Sequence, residues 1–402
     1  MSRAAGLDDA LQDLSEAVGR RLAVLDWTMT VVGYSIHEAE DDRRRLSLLL
    51  AHSGRWDPLG PLKDGHIQVS LPPLGRCLLI PLTDHRRLAG YLLTVLEGSP
   101  LGEGELPILL QGSSGLGVLL SLRLLYEEHD RSRARELLIR ATGPDPVARR
   151  AATEALVAER HVGAAAHYTA VAIDGDPRPG RSSGRAALAV QMTLDFVARS
   201  STASVVGTTI DDGTGVLIFP RPVVKERLAR ILTDPKLGGV RAGIGPVVSR
   251  LEEVHHSLTL ARRALRVTWL APADHGLAIT WDDAGLDGVL ALLPVEQMTT
   301  EDLPRSARRL LAAGLSPEIL STLQAYLDCG GDAQHTADTL NIHRSTLYYR
   351  LGRVRSALDT DLSDGRLRAE LHIGLRLQGM RLAIDENSRQ NVRSDSRFDV
   401  SD

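Results

Sequence analysis

The chain has 402 residues, a formal net charge of -4, and 43% hydrophobic and 24% charged residues, a balance that excludes disorder over most of its length. At roughly 100 to 200 residues per domain, this length predicts two or three domains, each with a core of its own. A sequence-blind, coat-like nucleic-acid binder would be basic throughout, so any DNA contact has to be local. The two cysteines, Cys77 and Cys329, lie far apart with no CxxC motif, which suggests neither a disulfide framework nor a zinc site and fits a reducing cytoplasm. The N-terminus carries acids where a signal peptide needs a basic end. The longest apolar stretch, around Leu116 to Leu125, is interrupted by Arg123, so no membrane span is expected.

Residues 1–128 read as a mixed α/β unit. Leu7, Leu11, Leu14 and Val18 recur at helical spacing, and Leu22 to Ser35 then turns rich in β-branched and aromatic residues. The apolar runs Arg76 to Leu82 and Leu88 to Leu96 flank the polar turn Thr83 to Arg87, a hairpin pattern, and a long helix closes the unit. This order of elements resembles a GAF or PAS-like sensor domain, which implies a sensing or dimerising role. Residues 129–165 are rich in Ala, Arg and Glu, are broken by Pro144 and Pro146, and read as a helical connector.

In residues 166–293 a strand (HYTAVAI) is followed by a periodic helix from Ala186 to Ala198. Two β-rich runs then flank Asp211-Asp212-Gly213-Thr214, where Asp-Gly marks a hairpin. A helix around Val223 to Leu232, a strand ending in glycines and a further helix complete the order β, α, β-hairpin, α, β, α, that of a ferredoxin-like or nucleotide-cyclase-like palm. Gly243, Ile244 and Gly245, then Ser257 and Ala261 to Leu265, resemble the degenerate GGDEF-like domain found in the middle of PucR and CdaR-type bacterial transcription regulators.

An active cyclase of this kind carries its metal-holding signature at the hairpin tip, which here reads Asp211 to Thr214. Asp174 and Asp176 follow the first strand, and all these acids read as solvated turn carboxylates. A lone GIG lacks the further glycines and the lysine of a phosphate cradle. His255 and His256 are adjacent, face different sides of a helix and cannot share a metal. No catalytic residue, metal site or cofactor is therefore expected.

Residues 310–384 carry the functional pattern. Ser316-Pro317 starts a helix with Leu320, Leu323 and Leu327 on one face, ending at Cys329-Gly330-Gly331. Asp332 can cap a short helix with small inward residues, Ala333 and Ala337, followed by Leu340, and Asn341-Ile342-His343 makes a turn. In the third helix, Arg344 to Leu358, the spacing of Leu347, Leu351, Val354 and Leu358 defines the core stripe. It turns Ser345, Tyr349, Gly352, Arg353 and Ser356 outward. From Asn341 to Ala357 there are four arginines and no acid. Such a helix suits the major groove, its leading end reaching base edges and its flanking Arg and Tyr holding phosphates.

The run GGDAQHTADTLNIHRSTLYYRLGRV, continued through Asp361-Leu362 and LRAELHIGLRL, resembles the C-terminal helix-turn-helix of PucR-type regulators and, more distantly, the DNA-binding helices of Fis. The resemblance implies that His343, Arg344, Ser345, Thr346 and Tyr349 lead the recognition helix, with Tyr348, Arg350 and Arg353 on its phosphate-facing flanks. His343 departs from the Asn more usual there, which bears on base preference. Residues 385–402 are polar, lack periodicity and read as a disordered tail.

The expectation is thus a multidomain α/β plus all-α protein with a GAF/PAS-like N-terminal domain, a ferredoxin/cyclase-like (degenerate GGDEF) middle domain and a Fis-like helix-turn-helix. Functionally it reads as a cytoplasmic, sequence-specific transcriptional regulator, not an enzyme. Its expected partners are double-stranded DNA, a second copy in a homodimer or higher homo-oligomer, and a small-molecule effector. One alternative is a nucleotide-binding or cyclase-like signalling enzyme with a DNA-binding appendage, which needs a metal carboxylate pair that the hairpin lacks. Another is a ligand-binding adaptor whose C-terminal helices bind protein, against which the acid-free arginine face argues.

Overall fold

A computed structural model describes residues 6–36, 47–57, 59, 65–96, 100–174 and 184–395, and the chain divides into two compact units, Met1–Arg133 and Ala134–Asp402. In the first unit, helix α1 (Leu7–Val18) precedes a five-stranded sheet of β1 (Ala23–Asp26), β2 (Val31–Tyr34), β3 (Ile67–Leu71), β4 (Gly75–Asp84) and β5 (Arg87–Val95). The strand order is β2-β1-β5-β4-β3, and every pairing is antiparallel. Alternation along β4 sends Leu78, Ile80 and Leu82 to one face, where they pack with Leu7, Leu11 and Leu14 of α1; Cys77 and Leu79 go to the other, with Tyr91 and Met29. The β4–β5 turn is reduced to His85 and Arg86, both at positive φ (44° and 70°), as a two-residue hairpin with right-handed strand twist requires.

Helix α2 (Glu105–Thr142) lays Leu109, Leu116 and Leu120 against the same sheet face as α1. Among the described residues it is the one helix long and apolar enough, by length and composition, to cross a membrane. The expected boundary at residue 128 falls inside this continuous helix. Residues 129–165 are helical, as the end of α2 and as α3 (Pro146–Ala158), but they are more than a connector. Leu137, Leu138, Ala141, Ala152, Leu156 and Val162 are buried in the core of the second unit, where the small residues allow close packing.

The second sheet contains β6 (Thr169–Asp174), β7 (Val206–Thr209), β8 (Gly215–Phe219), β9 (Arg241–Ile244) and β10 (Ala278–Thr280), in the order β10-β9-β6-β8-β7. Only the β9–β10 pair is parallel. Helices α4 (Gly184–Ser200) and α5 (Lys225–Leu232) cover the face carrying Val171 and Ile173, and α6 (Val254–Leu270) covers the face carrying Ala170 and Ala172.

The glycines of the GIG turn bring α6 onto the sheet. A Cβ at Gly243 would lie 2.0 Å from the Ala261 carbonyl oxygen, and one at Gly245 would lie 2.0 Å from that of Ser257. The Ser257 hydroxyl donates to the Pro246 carbonyl (2.7 Å) and accepts from the Ala170 N–H (3.0 Å), tying helix, strand and turn together. The pattern of Gly243, Gly245, Ser257, Ala261 and Leu265 therefore records close packing between backbones.

The C-terminal region is all helical: α7 (Arg305–Ala312), α8 (Pro317–Asp328), α9 (Ala333–Thr339), α10 (Arg344–Leu358) and α11 (Gly365–Asp395). Helix α11 serves two cores. Leu371 and Leu375 pack with α8 and α10, while Leu377 and Met380 pack with Ala264, Val267 and Leu270 of α6. It continues to Asp395, past the residue 385 expected to begin a structureless tail, because no Gly or Pro interrupts residues 380–395. Residues 396–402 of that expected tail lie outside the described residues.

Candidate nucleic-acid interface

Helices α8, α9 and α10 enclose a small core in which Leu323, Leu327, Ala337, Leu347, Leu351, Val354 and Leu358 are buried. Every residue of the predicted core stripe on α10 faces inward. In α9 the buried pair is Thr336 and Ala337, with Ala333 packed beside them; the Thr336 hydroxyl is hidden because it donates to the Asp332 carbonyl (2.5 Å). Asp332 caps α9, accepting from the N–H groups of Gln334 (2.8 Å) and His335 (3.0 Å). The His335 backbone bond chiefly holds its carboxyl below the ordinary value; the Gln334 N–H and the positive charges of His335 and Arg344 act in the same direction. The α9–α10 turn depends on Asn341, which adopts φ 51°, a left-handed conformation that Asn tolerates. The Ile342 N–H then returns to the Ala337 carbonyl (3.0 Å).

The recognition helix is held at both ends. His343 is its N-cap, with Nδ1 accepting from the Ser345 N–H (3.2 Å) and lying 2.8 Å from the Ser345 hydroxyl. That acceptor role places the proton of the neutral ring on Nε2, so His343 presents a donor outward. At the other end Asp359 turns left-handed (φ 52°), and Arg309 of α7 donates to the Leu358 carbonyl (2.9 Å), a cation at the negative end of the helix.

His343, Arg344 and Ser345 are exposed at the leading end of α10, with Thr346 half-buried behind them. Both tyrosines of the pair are exposed, Tyr348 at 51% and Tyr349 at 67%. Arg353 and Arg355 are exposed further along. Among the described residues, no carboxylate lies within ion-pair distance of Arg344, Arg353 or Arg355.

Arg350 departs from the expected outer flank. Its guanidinium donates to the hydroxyl of Thr322 (3.0 Å), a buried residue of α8 that in turn donates to the Glu318 carbonyl (2.6 Å). The long side chain turns back into the α8–α10 crossing, a direction that helical phase at the Cα does not dictate.

Sequence reasoning missed the residues that join this domain to the preceding sheet domain. Arg376 of α11 donates to Asp274 (2.9 Å), Asp287 (3.1 Å) and Asp328 (2.8 Å). His275 meets Asp287 and His372 meets Asp328, each at 2.7 Å. Asp287 is buried. Only the i, i+4 spacing of His372 and Arg376 on one helix face was legible beforehand, since their acids come from distant parts of the chain.

The palm's hairpin tip has its carboxylate already engaged. Asp212 accepts from the Thr214 N–H (2.9 Å) and from Arg262 (2.7 Å). Burial opposes its ionisation, yet these hydrogen bonds and the Arg262 charge hold its carboxyl below the ordinary value. Asp174 ends β6, and Asp176 lies outside the described residues. Among the described residues, no group of three or more His, Cys, Asp or Glu side chains is arranged to hold a metal.

A capped, acid-free helix packed across a short helix and tight turn defines this region as a helix-turn-helix domain, carried behind a palm-like sheet domain. Residues 319–377 match the PucR C-terminal helix-turn-helix domain and residues 154–267 match a GGDEF-like domain. It is similar to the purine catabolism regulatory protein of Bacillus subtilis (strain 168), with 28% identity over 141 residues, covering 35% of this chain and 26% of that relative. Among solved structures, a regulator of polyketide synthase expression from Bifidobacterium adolescentis has 20% identity, a TM-score of 0.27 and coverage of 63% of this chain and 92% of that one. A DhaR(N)-DhaL complex chain from E. coli has 14% identity, a TM-score of 0.19 and coverage of 54% and 87%.

Proposed function

We propose that the protein is a transcriptional regulator that reads the major groove with α10. The observation that carries this reading is the exposed leading end His343-Arg344-Ser345, continued by Tyr349 and Arg353 on a helix without an acid. His343 Nε2 and Arg344 reach base edges, Ser345 and Thr346 line the entry, and Tyr348, Tyr349 and Arg353 contact the phosphates on either side. One such helix reads only a few base pairs, so useful specificity calls for a homo-oligomer on paired half-sites roughly 34 Å, or a multiple of it, apart.

In this reading the sheet domain at residues 166–293 is a catalytically inactive, structural palm, and the first unit is the sensing or dimerising domain for a small-molecule effector, as a GAF or PAS-like unit would be. A regulator of chromosomal genes acts in the cytoplasm, and double-stranded DNA is its partner. The relative from Bacillus subtilis, named as a regulator, supports the same direction.

Selection of duplexes from a random pool by the full chain tests the proposal. The expected result is enrichment of one motif with two half-sites, bound with an affinity that falls steeply with salt. Retention of no duplex at low salt by the folded protein would overturn it.

A further inference from the structure

Helix α7 turns a basic face outward. Three of its eight residues are arginine, Arg305, Arg308 and Arg309, and no acid occurs from Leu303 to Pro317. The apolar residues fix which way the arginines point. Ala307 and Leu310 are buried, Leu310 among the leucines of α8 and α10. At about 100° per residue the arginines lie on the opposite side of the helix, where all three are exposed.

Among the described residues, no carboxylate lies within ion-pair distance of any of them. Glu370, which shares this corner of the domain, accepts from Ser306 (2.9 Å) and Arg366 (3.3 Å) instead, and Asp302 accepts from the Thr299 N–H (2.7 Å). Arg305 and Arg309, four residues apart, form a like-charge pair of the kind that weakens a helix, and no described acid relieves it. Helix α7 also precedes the helix-turn-helix pattern, whose first helix starts at Pro317, so that pattern does not require arginine here.

The fold places this face at the far end of the recognition helix. Arg309 donates to the Leu358 carbonyl (2.9 Å), so the basic face of α7 begins where α10 stops, and Arg355 is exposed about one turn earlier. At about 1.5 Å per residue, the 15 residues of α10 span about 22 Å, whereas the major groove is about 12 Å wide and curves around the duplex. A straight helix that enters at His343 therefore rises over a bordering strand in its last turns, among phosphates.

We infer that α7 is a second DNA-contacting element, in which Arg305 and Arg308 hold phosphates flanking the base pairs read by α10. Continuity chooses the occupant: the strand bordering the groove is the polyanion that α10 itself brings to this face. The inference rests on the DNA-binding reading above and extends it from base edges to the flanking backbone.

The test uses the full chain and the selected motif, carried in a duplex with about one helical turn of flanking sequence on each side. Hydroxyl-radical cleavage should show backbone protection beyond the motif with the parent chain. Arg305→Gln with Arg308→Gln should abolish that protection without lowering the melting temperature, since both side chains are exposed. Titrations from about 50 to 200 mM salt should give a slope lower by about two, so that the parent's advantage over the variant shrinks about tenfold across that range. Arg305→Lys with Arg308→Lys keeps the charge and should keep the slope. Arg227→Gln with Arg230→Gln, at exposed positions of α5, lowers the net charge equally and should leave the slope at the parent value.

A parent that protects no backbone beyond the motif would overturn the inference. So would a double Gln variant with the parent's slope and protection, the outcome expected if this face is solvated or meets an acidic protein surface. An equal loss of slope in the α5 control would do the same, by tracing the effect to net charge alone. In each of these cases salt-dependent binding by the parent leaves the DNA-binding reading standing. A folded parent that retains no duplex refutes that reading, and the flanking contact falls with it.

Discussion

Arg344, Arg350 and Arg353 are chemically identical and sit within ten residues of one another, yet they should behave in three ways. Arg344, at the leading end with no described carboxylate within ion-pair distance, can present two parallel donors to a guanine edge. Arg344→Ala should cost about 1 to 3 kcal/mol on the selected sequence and little on random duplex. Arg353, about two turns further along, should act through phosphate, so Arg353→Ala weakens selected and random DNA alike and lowers the salt slope by about one. Arg350 donates to Thr322 inside the domain. Arg350→Ala should lower the melting temperature and leave the salt slope unchanged. Binding titrations at several salt concentrations, with melting curves, separate the three. His343 adds a fourth case: His343→Ala removes the N-cap and should destabilise the domain by about 1 kcal/mol, whereas His343→Asn retains a capping acceptor and should alter only which sequence is selected.

Among the elements, α10 and α6 depend on different physics. Helix α10 is seated by its leucine stripe, and Leu351→Ala should cost about 2 to 5 kcal/mol in denaturant unfolding through the cavity left between α8 and α10, with the preferred DNA sequence unaltered in the folded fraction. Helix α6 is seated by absences. Because a Cβ at Gly245 would fall 2.0 Å from a backbone carbonyl oxygen, Gly245→Ala forces helix and strand apart. It should cost at least the 1 to 3 kcal/mol typical of overpacking, although only one methyl group is added. A phosphate-binding glycine predicts instead a loss of nucleotide affinity with little loss of stability, so unfolding and nucleotide titration of this one variant distinguish the two roles.

At the scale of the whole molecule, the helix-turn-helix and the sheet domain are joined by the shared core of α6 and α11 and by Arg376. Three carboxylates from two domains converge on that guanidinium, and Asp287 is buried beside it. Arg376→Met should therefore lower the melting temperature of the second unit, because it leaves the buried Asp287 carboxylate with His275 alone. If the junction also sets the position of α10, a protein still folded at low temperature should show weakened DNA binding even though Arg376 is remote from the recognition helix. The palm makes a separate prediction. With Asp212 already committed to Thr214 and Arg262, incubation with GTP and magnesium should yield no cyclic dinucleotide, and product formation abolished by Asp174→Ala would contradict the inactive palm.

Local pattern alone determined a good deal of this molecule. The stripe of Leu347, Leu351, Val354 and Leu358 placed one side of α10 in a core, and the absence of acids from Asn341 to Ala357 made its opposite side basic. The apolar β4 and β5 runs on either side of a polar turn, and the Asp-Gly turn at residues 212–213, placed both hairpins, because residue preference and turn chemistry act over a few residues. Tertiary structure decided what depends on partners distant in the chain. It turned Arg350 inward to Thr322, drew Leu137, Leu138 and Leu156 into the core of the second unit, and assembled Asp274, Asp287 and Asp328 around Arg376. A long side chain can point to solvent or to a buried hydroxyl from the same Cα, and which it does is set by the element packed across from it.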